Sequence, residues 1–138
     1  MELKTKVAAG QGSQDIVISR VFELPVHLLF KAYEVPELFE QWMDTTVVKM
    51  ENKTHGAYRF ETRREEQVVF SANGCIHEFV ANTRIVRSFQ MENTPFPAQL
   101  EFMEFEKIDE ASSRLSIHII FKSAEYRNQL LQMPFAQG

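Results

Sequence analysis

The sequence has few of the features that would tie it to a membrane or to an oxidising compartment. Its single cysteine, Cys75, cannot form a disulfide within the chain, which fits a reducing compartment. No stretch approaches the roughly 20 consecutive apolar residues that a membrane-spanning helix needs. Residues 1–14 also lack the apolar centre of a signal peptide. We therefore expect a cytoplasmic protein without a membrane span.

Positive charge is scarce as well. The 15 Lys and Arg residues are outnumbered by 19 Asp and Glu, and they form no basic run. The resulting net charge of -4 argues against nucleic acid or an anionic membrane surface as the main partner. With 138 residues, of which 44% are hydrophobic, the chain is long enough to bury the core of one domain.

The histidines do not form the patterns that bind metals. His27, His55, His77 and His118 are scattered, and no two have the short spacing of a metal site. His77 and Glu78 are neighbours in one predicted strand, so their side chains point to opposite faces and cannot act as an acid/base pair. We expect no metal, no cofactor and no catalytic residue, and hence no enzymatic activity.

Residues 16–42 carry the strongest structural signal in the chain. Ile16, Ile18 and Arg20 alternate as in a β-strand, whereas Val26, Leu29, Phe30 and Tyr33 recur at helical spacing. A second short helix is predicted from Pro36 to the only tryptophan, Trp42. The order is therefore a strand, two helices and then further strands, one of which is predicted at residues 45–51.

This pattern resembles the opening of the START-like superfamily, in its Hsp90-ATPase-activator-like branch. The matching positions are Ile16, Ile18, Arg20, Phe22, Pro25, Leu29, Phe30, Ala32, Pro36, Glu37 and Trp42. Further matches are HGAYRF at residues 55–60, NGCIHEFVANTRI at 73–85, SRLS at 113–116 and FKSAEYRNQLLQM at 121–133. The resemblance covers the chain from Asp15 onward.

The resemblance implies an α+β fold of the helix-grip type. We expect a curved six-stranded antiparallel sheet, two short helices after the first strand, and a C-terminal helix held in the curl of the sheet. The START-like domain is assigned to residues 15–138. Residues 1–14 contain a run of small residues that cannot pack a core, and they are expected to be a flexible leader.

An apolar cavity is expected between the sheet and the C-terminal helix. Strand alternation places several apolar side chains on the concave face, and aromatic rings could line a pocket for a flat or greasy ligand. The candidate ligand-binding residues are Trp42, Tyr58, Phe60, Phe70, Arg87, Phe89, Phe102, Ile117 and Phe121. The alternative is that each of these side chains simply belongs to the core.

Two arginines have specific interpretations. Arg87 lies on the same side of its predicted strand as Ile85 and Phe89, so its side chain is a candidate for pointing inward. There it would face Glu101 or Glu104 and anchor a carboxylate-bearing ligand. Arg20 is interpreted as one partner of a structural ion pair with Glu37, unless Glu37 acts only as a charge at the start of a helix.

The C-terminal helix is expected to be shortened. Ser123 is a plausible N-cap, but Pro134 would interrupt the helix, whereas the resemblance implies several more turns. Either the uncovered apolar surface is filled by a second copy in a homodimer, by another protein or by a lipid-like molecule, or the sequence is a truncated form of a longer protein.

Three functions remain open at this stage. The first is binding of a hydrophobic small molecule in the cavity, with the ligand unknown. The second is a protein-interaction module related to the Hsp90 activator domains, acting in a stress response. The third is a cyclase- or aromatase-like enzyme.

Overall fold

The computed structural model describes residues 5–10 and 12–132 of the 138-residue chain. One sheet and three helices make up this part of the chain. In chain order the elements are β1 (Thr5–Ala8), β2 (Asp15–Phe22), α1 (Val26–Glu34), α2 (Pro36–Met43), β3 (Thr46–Met50), β4 (Ala57–Arg64), β5 (Gln67–Val80), β6 (Arg84–Met91), β7 (Gln99–Asp109), β8 (Ser112–Ile120) and α3 (Ala124–Leu131). The α+β class and the order of helices and strands agree with the prediction. Residues 133–138, including Pro134, lie outside the described residues.

The sheet has eight strands in the order β1-β2-β8-β7-β6-β5-β4-β3, and every neighbouring pair is antiparallel. The predicted number of six strands is therefore wrong. The strand expected at residues 45–51 is present as β3, at one edge of the sheet. At the opposite edge, Thr5–Ala8 forms β1, within the segment expected to be a flexible leader.

The strand β1 was not predicted because it is held in the sheet by its backbone. All four of its residues are exposed, so burial imposes no apolar alternation on this segment. It pairs with β2 from Thr5 opposite Arg20 to Ala8 opposite Val17. Pairing along a sheet edge depends on main-chain donors and acceptors, and every residue except proline supplies both.

The helices begin where the sequence indicates. Pro25 is the N-cap of α1, and Pro36 is the first residue of α2, a position where its missing N–H costs nothing. Asp44 ends α2 in a left-handed conformation with φ 54°. Ser123 caps α3 as predicted, because its side-chain oxygen accepts a hydrogen bond from the backbone N–H of Tyr126.

The core lies between the helices and one face of the sheet, which we call the inner face. It consists of three clusters of buried side chains, and each helix contributes to a different one. Phe30 of α1 packs edge-on against Phe105 of β7, with ring centroids 4.9 Å apart. Phe39 anchors α2 through a similar edge-on contact with Phe60 of β4. Leu130 anchors α3 in a separate cluster. No helix in the described ranges is both long enough and apolar enough to cross a membrane.

The outer face of the sheet carries a hydrogen-bonded group around Glu92. Arg59 donates Nε to Glu92 Oε2 at 2.9 Å and Nη2 to Oε1 at 3.0 Å. Asn73 Nδ2 donates to Oε2 at 2.8 Å, and the Ser71 hydroxyl donates to Oε1 at 3.1 Å. The hydrogen bonds from Arg59, followed by that from Asn73, lower the pKa of Glu92 to about 2.

Glu92 should therefore contribute to stability in a pH-dependent way. Because its pKa is lower in the folded chain than the usual 4.5, its contribution is fully present above pH 4.5 and is lost as the pH falls towards 2. We expect Glu92→Gln to lower the free energy of unfolding by about 1–2 kcal/mol at pH 7. Urea unfolding at pH 7 and at pH 2 measures the effect. An equal loss of stability at both pH values would contradict this role of the Glu92 carboxylate. Glu106→Gln, which removes an exposed carboxylate, is the matched control.

Candidate functional site

Two clefts open on the inner face of the sheet. The first, which we call the α3 cleft, has a volume of about 480 Å³. It lies between α3, the edge strand β1 and the sheet. All but three of its lining residues, Thr5, Gln99 and Glu101, are apolar. The apolar walls include Ile16, Ile18, Phe70, Phe89, Met91, Ile119, Leu130 and Leu131. Such a cleft favours an apolar molecule with a limited polar part.

The polar end of the α3 cleft is built by β7. Gln99 and Glu101 share the inner face, because alternate residues of a strand point to the same side. Gln99 Nε2 donates to Glu101 Oε2 at 2.9 Å. A carboxylate only accepts hydrogen bonds, so this contact fixes which way the Gln99 amide points. The Gln99 carbonyl oxygen makes no hydrogen bond within residues 5–10 and 12–132, and it is an acceptor available to a ligand.

Arg87 supports Glu101 from the neighbouring strand β6. Its Nε donates to Glu101 Oε1 at 2.9 Å, and the two side chains are only 16% and 9% exposed. The guanidinium also lies over the ring of Tyr58, 4.9 Å from its centroid. Burial acts to lower the pKa of Arg87, but Tyr58 and Glu101 raise it, and the net shift is upward. Arg87 and Glu101 therefore form a buried ion pair at the end of the cleft, and their opposite charges compensate each other.

Tyr58 holds this pair against β6. Its hydroxyl donates to the carbonyl oxygen of Ser88 at 2.6 Å. Burial raises the pKa of Tyr58, so the phenol stays protonated at neutral pH and remains a donor. The structure thus confirms that Arg87 points inward and faces Glu101 rather than Glu104, which pairs with Arg84 on the surface. Glu101, not Arg87, lines the α3 cleft.

The second cleft, the α1 cleft, has a volume of about 420 Å³ and lies between α1, the end of α2 and strands β2 and β8. Thr5 and Ile18 line both clefts, so the two are adjacent. Aromatic side chains form much of its wall. Trp42 donates its indole N–H to the carbonyl oxygen of Ala32 at 2.7 Å, and its ring lies 5.0 Å from that of Tyr33. Trp42 nevertheless remains 47% exposed.

Arg20 is the one charged residue on the wall of the α1 cleft, within the described ranges. Its guanidinium lies over the ring of Phe22, 5.0 Å from the centroid. The ion pair with Glu37 that the sequence suggested is not formed, and no described acidic residue lies within salt-bridge distance of Arg20. Arg20 lies on the wall of the α1 cleft, whereas Glu37 is exposed near the start of α2.

The structure divides the predicted ligand-binding residues between the two clefts and the core. Phe70 and Phe89 line the α3 cleft, while Trp42 and Ile117 line the α1 cleft. Three other predicted residues, Tyr58, Phe60 and Phe121, are buried members of the core clusters. Their part in ligand binding stays a prediction.

Phe102 does not lie on the inner face, which corrects the prediction for this residue. Its neighbours Glu101 and Met103 are buried on the inner face, so Phe102 points to the outer face. There its ring lies 6.3 Å from the imidazole of His118, which hydrogen-bonds Asp15 at 2.7 Å. Leu100 and Phe102 make β7 apolar on both faces, and this conceals the alternation.

Cleft residues that were not among the predicted ligand-binding residues lie in β1 and α1. Thr5 and Val7 of β1 line the α3 cleft, and no apolar pattern marks them. Tyr33 was recognised only as part of the helical stripe, although that stripe is the signal that places it against the sheet. Among residues 5–10 and 12–132, no group of three His, Cys, Asp or Glu side chains is arranged to hold a metal ion.

Comparison with protein families gives one match over most of the chain. The family described as "Activator of Hsp90 ATPase homolog 1-like protein" matches residues 23–138. A comparison with functionally curated proteins found no match.

Solved structures show the same fold at low sequence identity. A protein from Rhodobacter sphaeroides is 15% identical with a TM-score of 0.84, over 97% of this chain and 89% of the other. A Mycobacterium smegmatis protein is 18% identical with a TM-score of 0.84, over 99% and 89%. An HSP90 activator from Plasmodium falciparum is 12% identical with a TM-score of 0.67, over 86% of each chain. At such identities the likeness concerns the fold alone.

Proposed function

The chain belongs to the Activator of Hsp90 ATPase homolog 1-like family, and from its inner-face geometry we propose that it binds a hydrophobic small molecule. The observation that carries this proposal is the α3 cleft, whose volume of about 480 Å³ is lined almost entirely by apolar side chains. A volume of this size lies in the usual range for small-molecule pockets, about 300–1,000 Å³. The proposed role is binding without catalysis.

The polar end of the α3 cleft defines how such a ligand would be oriented. Glu101 already accepts hydrogen bonds from Arg87 and Gln99, and the Gln99 carbonyl oxygen is left as an acceptor. A ligand that carries one hydroxyl group at the end of an apolar body can donate to this oxygen while its body contacts Ile119 and Leu130. An aliphatic alcohol such as decanol is therefore a suitable probe.

Filling the α3 cleft should abolish most of the binding. Leu131 lies at the end of α3 and is only partly buried, so an indole at this position enters the cleft without displacing the core. We expect Leu131→Trp to weaken decanol binding at least about tenfold, which corresponds to about 1.4 kcal/mol. Isothermal titration calorimetry at constant pH and salt measures the affinity.

Val69→Trp provides the matched control for Leu131→Trp. Val69 is 57% exposed on β5 and lines neither cleft. The control variant should bind decanol like the unchanged chain. Equal affinity in all three proteins would show that the alcohol binds elsewhere. The absence of any binding heat, together with unchanged NMR spectra of the protein on addition of decanol, would contradict the proposed function.

Docking to another protein is a second candidate function. The observation that favours it is a group of exposed apolar side chains on and beside α1 and α2, namely Leu24, Leu28, Leu38, Trp42 and Met43. The family description points to Hsp90 as the partner to test. The measurement that separates the two candidates is the ATPase rate of Hsp90 with and without the chain, which a pure small-molecule binder should leave unchanged.

A further inference from the structure

Within the described residues, the α1 cleft combines an apolar wall with one positive charge that no acidic side chain pairs. Arg20 lines this cleft, and none of the described acidic residues does. Arg87 and Glu101, whose charges also act on Tyr33 in this cleft, are bonded to each other and form a neutral pair. The field inside the α1 cleft is therefore set by Arg20, although the chain as a whole carries a net charge of -4.

The stacking of Arg20 leaves its hydrogen-bond donors available. The guanidinium uses its flat face to cover Phe22, at 5.0 Å from the ring centroid. The five N–H donors lie in the plane of the group, and none of them bonds an acceptor within residues 5–10 and 12–132. Stacking thus restricts the motion of Arg20 and presents a planar fork that matches a carboxylate.

Tyr33 places a second donor on the same wall. Its hydroxyl makes no hydrogen bond to the described residues, and its ring packs against Trp42. Burial raises the pKa of Tyr33 to about 12, while the charges of Arg87 and Arg20 act in the opposite direction. The phenol is consequently neutral at physiological pH and can donate to an anion.

We propose that the α1 cleft is a binding site for a small aromatic carboxylate, with Arg20 as the anion anchor and Trp42 and Tyr33 as the aromatic wall. A carboxylate matches the single guanidinium in charge and shape, and an aromatic body matches the rings of Tyr33, Trp42 and Phe22. The inference goes beyond the proposed function, since it concerns another cleft and an anionic ligand class. It does not require the α3 cleft to be occupied.

Trp42 makes this site directly observable. It is the only tryptophan of the chain, and it lines the α1 cleft but not the α3 cleft. Its fluorescence therefore reports occupation of this one site. The probe is 4-phenylbutyrate, and its uncharged counterpart 4-phenylbutyramide has the same body without the negative charge. We expect the carboxylate to change the Trp42 emission and to bind about tenfold more tightly than the amide at low salt.

Two variants identify the anchor. Arg20→Gln should weaken 4-phenylbutyrate binding about tenfold and leave the affinity for the amide within about twofold. Arg114→Gln removes the same charge from an exposed arginine on β8 that lines neither cleft, so it should leave both affinities unchanged. Thermal unfolding of both variants checks that the fold is retained.

Three results would overturn the proposal. These are equal affinity for the acid and the amide, equal weakening by Arg20→Gln and Arg114→Gln, and binding without any change in Trp42 emission. None of them bears on decanol binding in the α3 cleft, so failure of this site and failure of the proposed function are distinguishable.

Discussion

Replacing Arg87 by methionine is expected to lower the free energy of unfolding by about 3–5 kcal/mol. The change leaves the buried Glu101 without the cation that donates to its Oε1. Without Arg87 the buried carboxylate keeps its cost of desolvation, and the one remaining hydrogen bond, from Gln99, compensates only part of it. Chemical denaturation at pH 7 measures the loss.

Two further variants test whether the effect comes from the buried pair. Combining Arg87→Met with Glu101→Leu removes both charges together, so most of the lost stability should return. Arg84→Met breaks ion pairs that are 40–50% exposed, and it should cost no more than about 1 kcal/mol. If Arg84→Met cost as much as Arg87→Met, or if the double variant were less stable than Arg87→Met alone, burial of the Arg87–Glu101 pair would not be the cause of the loss.

Adding a single methyl group at Gly74 is expected to cost about 2–4 kcal/mol. A Cβ at this position would collide with the carbonyl oxygen of Ser88, and it would lie only 2.6 Å from the hydroxyl and 2.7 Å from Cε1 of Tyr58. The backbone oxygen cannot move without disturbing the strands, and the Tyr58 hydroxyl would lose its hydrogen bond to Ser88. Thermal and urea unfolding of Gly74→Ala measure the effect.

Gly10→Ala is the matched control for Gly74→Ala. The nearest atom to a Cβ at Gly10 is the Ser13 hydroxyl oxygen at 3.5 Å, an ordinary contact distance. The expected change is within about 0.5 kcal/mol. A loss at Gly74 no larger than at Gly10 would mean that β5 and β6 separate easily at this point, and the wall behind the Arg87–Glu101 pair would then be less rigid than described.

The inner-face residues were predictable where a strand is apolar on one side only. Phe70, Phe89 and Ile117 all reach the clefts, as their alternation indicates. The same reasoning failed for Phe102, because β7 is apolar on both faces and carries its buried charge, Glu101, on the inner one. A local pattern treats a charged residue as exposed, whereas Glu101 is buried because Arg87 on the next strand compensates it.

Long-range pairing accounts for the remaining misses. β1 has no apolar pattern, and only its backbone register with β2 makes it part of the sheet and of the cleft wall. Arg20 was interpreted as the partner of Glu37 in an ion pair, with a helix-start charge at Glu37 as the alternative. Its actual neighbour is Phe22, two residues away on the same side of β2. Whether Arg20 meets Glu37, and whether β1 pairs with β2, depends on which elements the fold brings together, and short-range periodicity does not contain that information.

The central claim, that the α3 cleft binds an apolar small molecule, is tested most directly by isoleucine methyl NMR during a decanol titration. Ile16 and Ile119 line this cleft and Ile18 lines both clefts, whereas Ile76 is buried in a separate core cluster and Ile108 is exposed on β7. The account predicts saturable shifts of the first three methyl signals and unchanged signals for the other two. Unchanged signals at Ile16, Ile18 and Ile119, or shifts confined to Ile108, would contradict it.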